Sequence, residues 1–307
     1  MLIDIIYIDG VHHEIPASRV ILLSRNSVNI KKPVMKKIIF ACDGKNFPKG
    51  AFEFVKELQQ AEPVLLTGTF LHAVNFELIV PGVFATYGGP AMEFLEEEKA
   101  QLEKNIGLFA KLCERNGIEY RVHEESNNWN INDLAKETRF ADLMVMSEEL
   151  FCTYINIREP NGFMQQAIHN AECPVMLFPE TFQPFKKIVI AYDGKKESMF
   201  ALKQFCNLFP QFRNMETKII YTKEDDNDQI PDMIYIEEYA GRHFSNLIFE
   251  KLHFKGKEYF ETWTEENNDI LVVSGSYGRS MFSTALSKSF VEDLIHEHHI
   301  PLFIAHN

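Results

Sequence analysis

The sequence predicts an α/β protein made of two consecutive units, each an open parallel five-stranded sheet with helices on both faces. Three observations carry this. The segment Lys36-Lys37-Ile38-Ile39-Phe40-Ala41-Cys42-Asp43-Gly44-Lys45 returns as Lys186-Lys187-Ile188-Val189-Ile190-Ala191-Tyr192-Asp193-Gly194-Lys195, so the chain reads as a duplication. Short apolar runs alternate with longer stretches of helical period, the pattern of βαβ units whose strands are buried on both faces. The length of 307 residues also exceeds what a single hydrophobic core usually organises, roughly 250 to 300 residues.

The repeat sets the boundaries. Residues 141–147 parallel 268–274, and Ile168-His169 through Pro174 parallel Ile295-His296 through Pro301, so both halves start and finish alike. The first unit is placed at 35–180 and the second at 185–307. Residues 1–34 lie outside the repeat as an N-terminal extension, either a start-site artefact ahead of Met35 or an extra edge strand over 2–8.

In the first unit, strands are expected near 37–42, 64–71, 119–123, 143–147 and 175–178, with the clearest helix at 92–116. The stretch 73–92 reads as a loop, because Pro81, Gly82, Gly88, Gly89 and Pro90 interrupt regular structure. In the second unit, strands are expected near 187–192, 217–221, 247–252, 270–274 and 302–305, and helices over 197–208, 232–242 and 280–298. The acidic run 224–228 reads as a solvated loop.

Composition narrows the class. Hydrophobic residues form 46% and charged residues 24%, enough apolar side chains for two cores. A net charge of -13 disfavours nucleic acid and anionic lipid as partners. Five cysteines without CxxC spacing read as buried thiols of a reducing compartment. No stretch approaches the ~20 apolar residues of a membrane span, and no signal-peptide pattern opens the chain, so a cytoplasmic location is expected.

Ligands of doubly wound sheets bind beyond the carboxyl ends of strands where the strand order reverses. That rule points to Asp193 and to Gly275-Ser276-Tyr277-Gly278-Arg279-Ser280, which runs into a helix and could cradle a phosphate with backbone N–H groups. A G-x-x-G alone is more often a structural turn. Here, however, a strand ending in Asp-Gly is followed later by G-x-x-G and, beyond a nine-residue spacer, by a position preceding Ser289. This arrangement resembles the universal stress protein family, over nearly all of 35–307 and twice. The resemblance implies the sheet order 3-2-1-4-5 in each unit and an ATP or related adenine-nucleotide site, with Mg²⁺ as an accompanying ion. It implies Asp193 for adenine or ribose, Gly275 and Gly278 for phosphate, and Ser289 as a hydroxyl donor. One departure is Lys288, where the family pattern has a third Gly. Its Cβ would crowd a phosphate, whereas its ammonium would supply a cation to an anion, and a solvated helix lysine is the plainer reading.

In the first unit, Glu148 and Glu149 stand where Gly275 and Ser276 stand, and Phe151 where Gly278 stands. Two carboxylates repel phosphate, so no nucleotide triphosphate is expected there. His296, His298 and His299 near a helix end, with His306 beyond, do not share one helix face, and a charge-dipole contact is preferred over a metal site. No G-x-S-x-G, HExxH or GxxxxGK[ST] occurs.

The expectation is therefore a non-enzymatic stress-response protein binding adenine nucleotide in its second unit, acting as sensor or adaptor on a protein partner. Its units would pair through 175–178 and 302–305 as an internal pseudo-dimer, with homodimerisation open. The alternative is a nucleotide-free interaction protein with both sites degenerate, and slow ATP hydrolysis or self-phosphorylation at Ser276 or Ser280 ranks third.

Overall fold

The computed structural model describes residues 36–43, 46–71, 81–124, 131–147, 162–181, 183–221, 229–252, 263, 269–275 and 300–306. The first half runs β1 (Lys36–Asp43), α1 (Lys49–Ala61), β2 (Val64–Leu71), α2 (Pro81–Arg115), β3 (Glu119–Glu124), α3 (Ile131–Thr138), β4 (Leu143–Ser147), α4 (Gly162–Asn170) and β5 (Val175–Phe178). The second runs β6 (Lys187–Ala191), α5 (Lys196–Leu208), a short 3₁₀ turn (Pro210–Asn214), β7 (Glu216–Tyr221), α6 (Met233–His243), β8 (Asn246–Lys251), β9 (Ile270–Ser274) and β10 (Leu302–Ile304). Every strand expected from the sequence forms, within a residue or so at each end.

The strands lie in the order β3-β2-β1-β4-β5-β10-β9-β6-β7-β8. Read from either edge to the middle, this is 3-2-1-4-5. The expectation of two sheets is corrected in one respect: the fifth strands pair, so the ten strands form one sheet. Leu302, Phe303 and Ile304 of β10 face Leu177, Met176 and Val175 of β5 in antiparallel register. Both strands are apolar throughout and wholly buried, so each leaves a row of backbone groups that only another strand can satisfy once water is excluded.

Period-2 alternation sends successive side chains to opposite faces. On one face Ile38 and Phe40 of β1 and Ile188 and Ile190 of β6 meet Phe54 of α1, Phe109 of α2, Phe205 of α5 and Ile236 of α6 in one continuous core. On the other, Ile39, Met144 and Met146 meet Leu134 of α3 and Met164 and Ile168 of α4. The first core crosses the junction between halves as a chain of aromatic rings. Phe54 lies 4.7 Å from Phe178 and 6.0 Å from Phe209, and Phe303 of β10 lies 5.3 Å from Phe205 and 5.9 Å from Phe209. On the opposite face, Nε2 of His306 donates to the carbonyl of Ile168 at 2.8 Å, so the second half also closes on the last turn of α4.

The loop expected over 73–92 is corrected for its second part. Residues 73–80 fall outside the described residues, and the helix α2 begins at Pro81. Proline suits a first helical position, where its missing N–H leaves nothing unpaired, while Gly88, Gly89 and Pro90 lower helix propensity without forbidding the helix. The expected helix over 280–298, the acidic run 224–228 and residues 1–34 also lie outside the described residues. No helix among the described residues is long and apolar enough to cross a membrane. Burial pushes the thiols of Cys113, Cys173 and Cys206 up to about 12, which keeps them protonated and agrees with the sequence reading of structural cysteines.

One feature of β2 runs against stability. The hydroxyls of Thr67 and Thr69 are buried and have no hydrogen-bond partner among the described residues. Alternation places both on the α3 side of the sheet, beside Ile39 and Ala41 of β1. Leaving a buried hydroxyl unpaired is unfavourable by about 1–3 kcal/mol, and an apolar group of the same shape removes that term. Thr67→Val and Thr69→Val are each expected to raise unfolding free energy by about 1 kcal/mol in urea titrations. A decrease would show that the hydroxyls do find acceptors.

Candidate functional site

β6 and β9 are parallel neighbours, with Ile188 beside Leu271 and Ile190 beside Val273. The chain leaves β6 through α5 towards β7 on one side, while β9 lies on the other, so the crevice at their carboxyl ends is the switch point of this half. Asp193 follows β6 and Gly275 follows β9.

The carboxylate of Asp193 is held by its own turn. Oδ1 accepts the backbone N–H of Lys195 at 3.0 Å and lies 2.9 Å from the Ser198 hydroxyl, which donates to it, and Oδ2 lies 3.3 Å from Lys195 Nζ. This is the local bond by which an aspartate closes a turn two residues ahead. Gly194 between them has φ +77°, a conformation costly to any residue with a Cβ. The sequence Asp-Gly-Lys thus builds a tight exit from β6 directly into α5.

Gly275 meets the same helix. A Cβ placed on it would lie 2.3 Å from the carbonyl carbon of Glu197 and 2.5 Å from the nitrogen of Ser198. The structure therefore brings together Asp193 and Gly275, two residues far apart in sequence, through the first turn of α5. Ser198 is the link, 4% exposed and bonded to Asp193. Sequence reasoning passed over it. The signal lay in its place as the third residue of α5, where the equally long α1 carries Ala51.

The residues just ahead of α6 stand beside this turn. Pro231 stands 3.3 Å from the Cβ position of Gly194, and Asp232, with φ 54°, opens α6. Tyr192 is buried below them. Burial first, then the charges of Asp232 and Asp193, push its phenol above the usual range, so it remains a neutral hydroxyl. The turn thus presents the carboxylates of Asp193 and Asp232, the ammonium of Lys195, and an α5 N-terminus with no side-chain cap.

Gly278, Lys288 and Ser289 lie outside the described residues, as do Ser276, Ser280, His296, His298 and His299. In the first half Glu148, Glu149 and Phe151 do too. The exit from β1 there is built differently: Phe47 packs 5.4 Å from Phe40 and 5.9 Å from Phe52, and the Cys42 thiol donates to the Asn46 carbonyl. Apolar packing thus anchors the first-half loop after β1. Among the described residues no cluster of three or more His, Cys, Asp or Glu could hold a metal ion. His306 pairs instead with the ring of His169, 6.0 Å between centroids.

No family model matches the chain, and no curated protein matches it. Solved structures do. A universal stress protein from Archaeoglobus fulgidus DSM 4304 superposes with a TM-score of 0.63 at 15% identity, covering 89% of this chain and 96% of that one. A second universal stress protein structure from Archaeoglobus fulgidus gives a TM-score of 0.29 at 15% identity, over 47% of this chain and 98% of that one. The chain shares the fold of the first of these over 89% of its length.

Proposed function

We propose that this protein is a non-enzymatic stress-response protein that binds ATP or a related adenine nucleotide, with Mg²⁺, in its second half and acts as a sensor or adaptor. The observation that carries the reading is the convergence of Asp193 and Gly275 on the first turn of α5, at the switch point of a sheet ordered 3-2-1-4-5. The halves would work as an internal pseudo-dimer joined through β5 and β10, with the first half structural. Binding would change the surface around Pro231 and the start of α6, where Ile234 and Tyr235 are 78% and 74% exposed and free to meet a partner.

A second reading has its own support. Every contact of Asp193 in this site is satisfied within the chain, and Gly275 is required by packing alone. That is what a nucleotide-free interaction protein would also contain. Calorimetric titration of ATP with Mg²⁺ into the wild type and into Gly278→Glu separates the two. We expect saturable one-site binding that the variant loses. No heat, together with an unchanged melting temperature in ATP, would leave the interaction protein. ADP formation above a protein-free control would instead indicate slow hydrolysis.

A further inference from the structure

Lys195 stands between the turn of Asp193 and the helix that Gly275 touches. Its backbone N–H is fixed by Asp193 Oδ1, which sets where its side chain leaves the turn, and its Nζ lies 3.3 Å from Oδ2. The two partners differ in burial, with the lysine side chain 48% exposed and the aspartate 16%. An ammonium that exposed is held weakly by a single carboxylate oxygen. Asp193 does not depend on it, because Oδ1 keeps the Lys195 N–H and the Ser198 hydroxyl when the ammonium departs. The next cation along, Lys196, is 82% exposed and lies 3.7 Å from Glu197.

Resting on the nucleotide reading above, we infer that Lys195 sets the preference of the site for phosphate-bearing ligands over the neutral nucleoside. Its ammonium exchanges Asp193 Oδ2 for a phosphate oxygen when ligand enters. The exchange moves no proton and makes no covalent bond. A lysine is suited to it, as a point charge on a flexible stem that trades one anionic partner for another. An arginine, whose planar fork can bridge both anions, would keep the preference.

The test is calorimetric titration of ATP with Mg²⁺, and separately of adenosine, into wild type, Lys195→Met and Lys195→Arg, each checked for an unchanged melting temperature. Wild type should bind ATP more tightly than adenosine, Lys195→Met should lose about tenfold in ATP affinity with adenosine unchanged, and Lys195→Arg should keep the preference. Equal weakening of both ligands in Lys195→Met would make the lysine a structural residue and overturn the inference. ATP binding undiminished in Lys195→Met would overturn it too, while leaving the nucleotide reading intact. No ATP binding by the wild type would remove both.

Discussion

Alanine at Phe209 is expected to lower the unfolding free energy by about 3–5 kcal/mol, the usual range for removing a fully buried aromatic side chain. Phe209 is 2% exposed and ends α5 at the point where the two halves meet. Its ring lies 5.2 Å from Phe205, 5.6 Å from Phe212, 5.9 Å from Phe303 and 6.0 Å from Phe54, so one truncation empties the centre of the seam. Phe54 and Phe303 meet it edge to face and Phe212 stacks on it, contacts that add to the area buried. Because Phe54 belongs to the first half and Phe303 to the second, the loss should reach both. Urea unfolding followed by circular dichroism and by fluorescence should show a single transition shifted to lower urea. A shift of under ~1 kcal/mol would mean that neighbouring rings close the gap, against what close-packed interiors usually permit.

Gly275→Ala is expected to be nearly as damaging, about 3 kcal/mol. The added methyl would lie 2.3 Å from a backbone carbon and 2.5 Å from a backbone nitrogen of α5. Overpacking a rigid site usually costs about 1–3 kcal/mol, and the top of that range applies where the obstacle is main chain with no rotamer to yield. The displaced helix would also pull Ser198 from Asp193, weakening the turn after β6. The same urea experiment reads the outcome, and a midpoint unchanged from wild type would show that α5 slides aside freely. The contrast with Gly278→Glu is useful: loss of stability at Gly275 reports packing, whereas loss of binding at Gly278 reports a ligand.

Much of the fold was legible because strands buried on both faces must be apolar along their length. Residues 270–273 and Val175–Phe178 stand out as unbroken apolar runs for that reason, and their burial bears it out. The duplication of the Asp-Gly turn located the switch point of the second half. The start of α2 was not legible, because proline and glycine signal breaks locally while a helix extended from its well-formed later turns can absorb them. Ser198 was hidden for a different cause: a serine in a first helical turn is common, and its partner Asp193 is reached only through the tight turn after β6. Gly275 was noticed for the approach of a phosphate, yet the approach visible here is that of α5. A sequence shows that a position has no side chain but not which neighbour requires the space.

The junction of β5 with β10 is antiparallel, whereas the other strand pairings are parallel. The carboxyl ends of the two sets of strands therefore emerge on opposite rims of the one sheet, Asp43 on one and Asp193 on the other. A molecule seated on the second-half rim and its first-half counterpart would therefore face opposite sides of the seam. The chain is two-ended, with each rim open to evolve its own contacts while the shared seam holds the pair together.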